Sequence, residues 1–286
     1  MNCNLCPKKC NAERNENVGL GVCGMSNTIK IAHWDLFEYE EPCISLNKGS
    51  GAIFFSGCNL KCVFCQNYQI STQKAGKNIT IQELVDIFKQ LENMGAENIN
   101  LVSAMHFALQ IVEALKIYKP KIPVIYNTNA YESEEIIKFV SPYVDVFLPD
   151  FKYYSTKISL MLSNVSDYFD IALKSIKKMR ELKQDVYKDG KIFEGVIIRH
   201  MILPLCTDDS LKILKTIKEN FPTTKVSLMA QYTPCGDIKN YKFLNRKITK
   251  REYDKVLNYF TELNLDGYIQ DLESSDKKFI PNFKFI

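Results

Sequence analysis

The chain has 286 residues, 46% of them hydrophobic and 24% charged, a composition that supports one large α/β unit or two modest domains and excludes a disordered or fibrous protein. Lys+Arg exceed Asp+Glu by only four (37 − 33) and the charges are scattered, so there is no electrostatic case for nucleic acid, although RNA stays open as a substrate class. No apolar run approaches the length of a membrane span, and the opening Met-Asn-Cys-Asn-Leu-Cys lacks the basic and apolar regions of a signal peptide, so a cytoplasmic protein without membrane contact is expected.

In such a compartment the ten cysteines point to metal or redox chemistry rather than disulfides. Residues 1–48 read as a cysteine-rich cap and 49–286 as the main α/β unit, a partial barrel with a C-terminal extension. In the cap, Cys3, Cys6, Cys10 and Cys23 give Cys-x-x-Cys-x-x-x-Cys and a longer gap, with Pro7, Gly19, Gly21 and Gly24 as turn residues. Four thiolates suit a tetrahedral zinc site or a fully ligated iron–sulfur cluster, and the spacing does not choose between them. Free cysteines on a flexible arm are the bland alternative, and Cys43 either replaces one of the four or packs.

The most informative stretch follows: Gly51-Ala-Ile-Phe-Phe-Ser-Gly-Cys58-Asn-Leu-Lys-Cys62-Val-Phe-Cys65-Gln-Asn67. Ala52 to Phe55 has the apolar, aromatic and β-branched character of a buried strand, which puts Cys58, Cys62 and Cys65 on the loop leaving it. Three thiolates hold three irons of a cubane cluster and leave the fourth open. A structural zinc site wants four ligands, and no histidine or fourth cysteine lies nearby in sequence, so a [4Fe–4S] cluster is favoured.

Beyond the loop, strands and helices alternate. Thr80 caps a helix running to about Leu91, with Glu83 completing a capping box. Strand Ile99–Val102, a helix from about His106 to Tyr118, strand Pro123–Thr128, helix Glu132–Val140, strand Val144–Leu148 and helix Tyr168–Leu182 come next. Strand Gly195–Leu203, helix Ser210–Glu219, strand Lys225–Ala230 and helix Thr249–Leu263 complete the series. Short apolar strands between amphipathic helices imply a parallel sheet of about six βα units, too few for a closed eight-fold barrel. Residues just past each strand's C-terminus should share one mouth.

The cysteine spacing, with Phe64 before the last cysteine, resembles the radical S-adenosylmethionine (radical SAM) superfamily, and the full string is similar to proteins labelled as pyruvate formate-lyase activating enzyme-like. The resemblance extends over residues 3 to 270. It implies a partial, six-unit βα barrel, a [4Fe–4S] cluster whose open iron binds SAM, reductive cleavage to a 5′-deoxyadenosyl radical and hydrogen-atom abstraction from a substrate. It also implies a reducing partner such as flavodoxin or ferredoxin, and a protein or peptide substrate, a glycyl-radical enzyme's glycine being the expectation by name.

By position the resemblance makes Phe64, His106, Asn127, Asp150, Lys152 and His200 candidate SAM-binding residues. Ala104, Met105 and His106 stand where activating enzymes carry Gly-Gly-Glu, so the contact to the SAM amino group departs from the pattern. Asn127-Thr-Asn129 and Pro149-Asp-Phe-Lys152 resemble the family's Asp-Thr-Asn and Asp-Leu-Lys, where lysine meets the methionine carboxylate. Asp150 and Lys152 share one face of a strand, although a plain surface ion pair has the same spacing. Only one of Arg199 and His200 points inward, and His200 is the expected one. Cys206 and Cys235 follow the last two strands and are either inert buried thiols or groups at the mouth. The rival readings are a non-catalytic iron–sulfur electron carrier and a peptide- or RNA-modifying radical SAM enzyme. A third is a zinc-capped RNA-binding module, in which Lys8 and Lys9 would carry the affinity.

Overall fold

The apolar runs of the sequence become strands wherever both faces can be covered. The computed structural model describes residues 2–274. Thirteen strands appear among them: β1 Asn2–Cys3, β2 Ala12–Glu13, β3 Ile29–Phe37, β4 Ser50–Phe55, β5 Lys77–Ile79, β6 Ile99–Val102, β7 Val124–Thr128, β8 Val146–Pro149, β9 Val186–Lys188, β10 Lys191–Val196, β11 Ile198–Met201, β12 Val226–Met229 and β13 Gly267–Ile269. The helices are α1 Tyr68–Ser71, α2 Ile81–Asn93, α3 Ala108–Ile117, α4 Glu134–Val140, α5 Thr156–Ser163, α6 Tyr168–Leu182, α7 Thr207–Asn220 and α8 Lys250–Glu262, with short 3-10 turns between some of them.

The main sheet runs β5-β3-β4-β6-β7-β8-β10-β9, and β11-β12-β13 form a second ladder. A parallel bridge from Asp150 to Arg199 joins the two, so β10 and β11 act as one strand broken at Ile197. Counted in this way, β4, β6, β7, β8, β10–β11 and β12 are the six parallel strands expected, with helices on the connections. β13 adds a seventh parallel strand on β12.

Several features depart from the sequence reading. Residues 29–37, read as part of the cap, form β3, which pairs antiparallel with β4 and β5 and extends the sheet. Thr156–Ser163, unassigned from sequence, is helix α5.

β4, β6, β7, β8 and β12 are buried at every position, as parallel strands covered on both faces must be. Alternation divides their side chains. Ile53, Phe55, Ile99, Leu101, Tyr126 and Phe147 join the helices in one large core, while Ala52, Phe54, Val102, Ile125, Val146 and Leu148 face the concave side in two smaller clusters. Capping boxes, Thr80 with Glu83 and Thr249 with Glu252, start α2 and α8. No described helix is long and apolar enough to cross a membrane.

Candidate functional site

A cavity of about 190 Å³ opens at the C-terminal strand ends. Its wall includes Cys58, Cys62, Phe64 and Cys65 after β4, Ser103 after β6, Asn127 to Asn129 at the end of β7, Asp150 and Lys152 after β8, Arg199 and Met201 on β11, and Met229 and Gln231 at β12. Six strand ends thus supply one wall.

The cysteine loop is shaped by backbone contacts. Gly57 has φ +86°, a left-handed turn that suits glycine, and its N–H donates to Ile70 O at 2.8 Å, tying the loop to α1. Val63 N–H donates to Leu162 O (2.9 Å) and accepts through its carbonyl from Asp237 N–H (2.7 Å). Phe64 is 4% exposed and meets Tyr153 and Tyr232 edge-on, at 6.4 and 6.2 Å between ring centroids.

Every one of the three sulfurs receives a hydrogen bond: Cys58 Sγ from Leu60 N and Asn129 Nδ2 at 3.5 Å each, Cys62 Sγ from Ser163 Oγ at 2.9 Å, and Cys65 Sγ from Ser71 Oγ at 3.4 Å. Such donors are what ligating thiolates require around them. Burial, followed by the neighbouring Cys62, pushes the Cys65 thiol up to about 12, and burial raises Cys62 against the pull of Lys152. Among the described residues no three His, Cys, Asp or Glu side chains close on a single ion. Three thiols on the wall of one cavity, each with its own donor, fit a group of several irons.

Opposite them lies a charge network. Asp150 Oδ1 accepts from Arg199 Nε at 2.8 Å and Asp150 Oδ2 from Lys152 Nζ at 2.6 Å. Arg199 Nη2 donates to Asn127 Oδ1 (2.7 Å), and its Nη1 stands 3.4 Å from Glu40 Oε2. Burial pushes the Asp150 carboxyl up, but Arg199 and then Lys152 outweigh this and hold it below the usual carboxylate range. Burial and then Glu41 push Glu40 up to about 7. Gln66 Nε2, Asn67 Oδ1 and Glu41 Oε2 belong to wall residues and have no hydrogen-bond partner among the described residues. Buried polar atoms of this kind ask for a polar ligand.

Of the candidates, Phe64, Asn127, Asp150 and Lys152 line the cavity with the three cysteines, and His106 and His200 do not. On β11 it is Arg199 that faces the cavity. His200 is 2% exposed, and its Nδ1 lies 2.7 Å from Phe151 O. Burial lowers its pKa to about 4, so it is a neutral packed ring. His106 likewise is 2% exposed, with Nε2 2.6 Å from Ser56 O, and burial lowers it to about 4. The 3-10 turn Met105–Phe107 sends it behind the cysteine loop.

Cys235 donates to Phe64 O (3.3 Å) and props the loop from outside. Cys206 is buried ahead of α7, and Cys43 packs with Ile44 and Ile125 on the sheet, away from the N-terminal four. Sequence reasoning missed Glu40 and Glu41, which reach the cavity from the β3–β4 connection. Their only signal was their adjacency.

Comparisons with known proteins identify the family. The family model described as the radical SAM superfamily matches residues 52–217, more than half the chain. An uncharacterized protein of Methanocaldococcus jannaschii is 32% identical over 93% of this chain and 76% of its own length. The pyruvate formate-lyase-activating enzyme of Clostridium pasteurianum is 25% identical over 79% of this chain and 84% of its length. Among solved structures, Streptococcus suis SuiB bound to the precursor peptide SuiA superposes with a TM-score of 0.50 at 16% identity, covering 79% of this chain and 49% of SuiB. A radical SAM methyltransferase from Sphaerobacter thermophilus gives 0.51 at 12% identity, covering 77% of this chain and 66% of that one. This chain thus spans about half the length of SuiB, and these two likenesses concern the fold. The chain belongs to the radical SAM superfamily, whose cofactors are a [4Fe–4S] cluster and S-adenosylmethionine.

Proposed function

We propose that Cys58, Cys62 and Cys65 hold the [4Fe–4S] cluster and that the adjoining cavity seats SAM, making the chain an enzyme of reductive SAM cleavage and hydrogen-atom abstraction. The observation that carries this reading is the placement of three hydrogen-bonded thiols and an Asp–Lys–Arg network on one cavity. When bound, the cluster supplies the electron that cleaves SAM to methionine and a 5′-deoxyadenosyl radical.

The chain's own residues bind and orient. Lys152 uses one of three N–H donors on Asp150 and has others for a carboxylate, as has the Arg199 fork. Asp150, and Glu41 with its unpartnered oxygen, face an ammonium. Gln66 and Asn67 offer one free donor and one free acceptor to the polar parts of the same ligand. Phe64 closes the wall beside the cluster and keeps water from it. Asn127 holds Arg199 in place rather than meeting the ligand first.

For the substrate we favour a protein or peptide segment. The relationship to an activating enzyme supports this, and a glycine loop is its most specific form. A flavodoxin or ferredoxin is the reductant in this reading. A cytoplasmic setting is its compartment, consistent with ten free cysteines.

Anaerobic incubation of the cluster-loaded chain with dithionite and SAM tests the reading. Release of 5′-deoxyadenosine, abolished by Cys58→Ala, is the expected result. No 5′-deoxyadenosine from a fully loaded chain would leave an electron carrier.

A further inference from the structure

Cys3, Cys6, Cys10 and Cys23 gather on a cavity of about 20 Å³, room for about one water. A larger unassigned feature is the base of the main cavity, at the end away from the cysteine loop. Residues 38–49 cross beneath the sheet there. Asn98 Nδ2 donates to Ile44 O (2.8 Å) and Ile192 N–H to Cys43 O (3.1 Å), which ties the connection to the N-terminal ends of β6 and β10. Two turns closed on Glu41 O, from Ile44 N–H (2.7 Å) and Ser45 N–H (3.0 Å), fix the segment whose Tyr39, Glu40 and Glu41 line the cavity.

Charge at this base is unbalanced. The charged side chains on the cavity wall are Glu40, Glu41, Asp150, Lys152 and Arg199, three carboxyls against two cations. Lys152 is engaged by Asp150, and Arg199 by Asp150 and Asn127, with only a 3.4 Å approach to Glu40. SAM does not redress this, because its single net positive charge is matched by the single net negative charge of three thiolates around a dipositive cluster core. Burial and then Glu41 push Glu40 up to about 7, the response of a carboxyl short of a cation.

Unpartnered atoms give a sign independent of charge. Glu41 is 6% exposed and its Oε2 has no donor among the described residues. Asn100 is fully buried, gives its Nδ2 to Glu40 Oε1 at 3.0 Å and leaves its Oδ1 equally without a donor. By alternation with Val102, Asn100 stands on the concave side of β6. Acceptors outnumber donors at the base, so the ligand that completes it is a donor. Phe37, Tyr39 and Phe54 stand on the same wall, Phe37 meeting the other two edge-on at 5.6 and 6.4 Å between ring centroids, and offer an apolar flank to a hydrocarbon stem.

We propose that the base of the cavity is a substrate subsite for a primary ammonium on an alkyl stem, with Glu40 and Glu41 taking the cation and Asn100 Oδ1 a further acceptor. Of the two carboxylates that face an ammonium, Asp150, beside Lys152, keeps that of SAM, and Glu41 takes the substrate's. The proposal rests on SAM seating at the cysteine end of the cavity, and it adds an amine to what the substrate must present.

The test is calorimetric titration of the cluster-loaded chain at neutral pH, with and without SAM, using n-butylamine and its neutral isostere n-butanol. Nα-acetyllysine methylamide presents the same ammonium from a peptide. Saturable binding of butylamine to the SAM-loaded chain, at least about tenfold tighter than butanol and weakened at least about tenfold by Glu41→Gln, is expected, the size of one hydrogen bond to a charged group. Tighter binding of the acetyllysine amide would assign the ammonium to a peptide side chain, and binding of butylamine alone to a small amine; either supports the subsite. Equal binding of butanol, no binding of either amine, an affinity that Glu41→Gln leaves unchanged, or exclusion of butylamine by SAM would each overturn it, the last returning Glu41 to SAM. The comparison of amine with alcohol needs no variant, so it decides even if Glu41→Gln fails to fold. A chain that binds butylamine yet releases no 5′-deoxyadenosine fails the SAM reading and keeps the ammonium subsite.

Discussion

Replacing Asp150 by Asn removes one charge from the centre of the cavity network and little volume. Arg199 Nε, now 2.8 Å from Oδ1, still finds an amide oxygen, but the amide nitrogen would face Lys152 Nζ across 2.6 Å, donor against donor. Two cations then share a site where the side chains of Asp150, Lys152 and Arg199 are only 14 to 19% exposed. Removing one partner of a buried pair costs roughly 3–5 kcal/mol, and the remaining exposure argues for the lower end, about 3 kcal/mol at pH 7. At about 2 °C per kcal/mol for a chain of this size, the melting temperature should fall by about 6 °C. The sign with pH is fixed by the lowered Asp150 pKa: the stabilisation is present above the unfolded carboxyl's value and is lost as pH falls through the folded one. The gap between wild type and Asp150→Asn, followed by denaturant unfolding from pH 7 to pH 3, should therefore close in acid. A variant within about 0.5 kcal/mol of wild type at pH 7, or a gap that acid leaves unchanged, would refute the reasoning.

Glu40 gives the opposite slope. Burial and Glu41 raise it to about 7, so the folded chain keeps a proton that the unfolded chain releases near pH 4.5, and stability is lost as pH rises through about 7. Glu40→Gln should flatten that loss by about 2–3 kcal/mol in denaturant titrations, and Glu132, raised to about 7 by burial, should contribute a separate slope removed by Glu132→Gln. Gly57→Ala meets a positive φ, and its Cβ would lie 2.4 Å from Met25 Cγ and 3.1 Å from Cys23 O; a stability loss of about 2 kcal/mol and faster proteolysis of the N-terminal loop are expected. Ser163→Ala removes the 2.9 Å donor to Cys62 Sγ, which favours the more negative, reduced state; the midpoint potential of the SAM-responsive cluster should fall in a redox titration.

The cysteine loop, the capped helices and the six parallel strands were legible because each rests on local pattern: spacing, capping boxes and continuous apolar runs. What failed depended on partners distant in sequence. β3, Ile29–Phe37, mixes Lys30, His33 and Asp35 with apolar residues and becomes a strand only by pairing with β4 and β5. β13 has three residues and exists through β12. Alternation said that one of Arg199 and His200 faces inward but not which, because the break at Ile197, where the chain passes from β8 to β12, resets the register. Glu40 reaches the site from a connection 110 residues before its neighbour Asp150 in sequence (150 − 40), a proximity that spacing does not encode.

The central claim is that the three thiols beside this cavity hold a cluster with an iron open to SAM. Low-temperature electron paramagnetic resonance of the anaerobically reconstituted, dithionite-reduced chain, with and without SAM, tests it. The account predicts a cubane signal that shifts on adding SAM. A cluster signal that SAM leaves unchanged in a folded chain would contradict it.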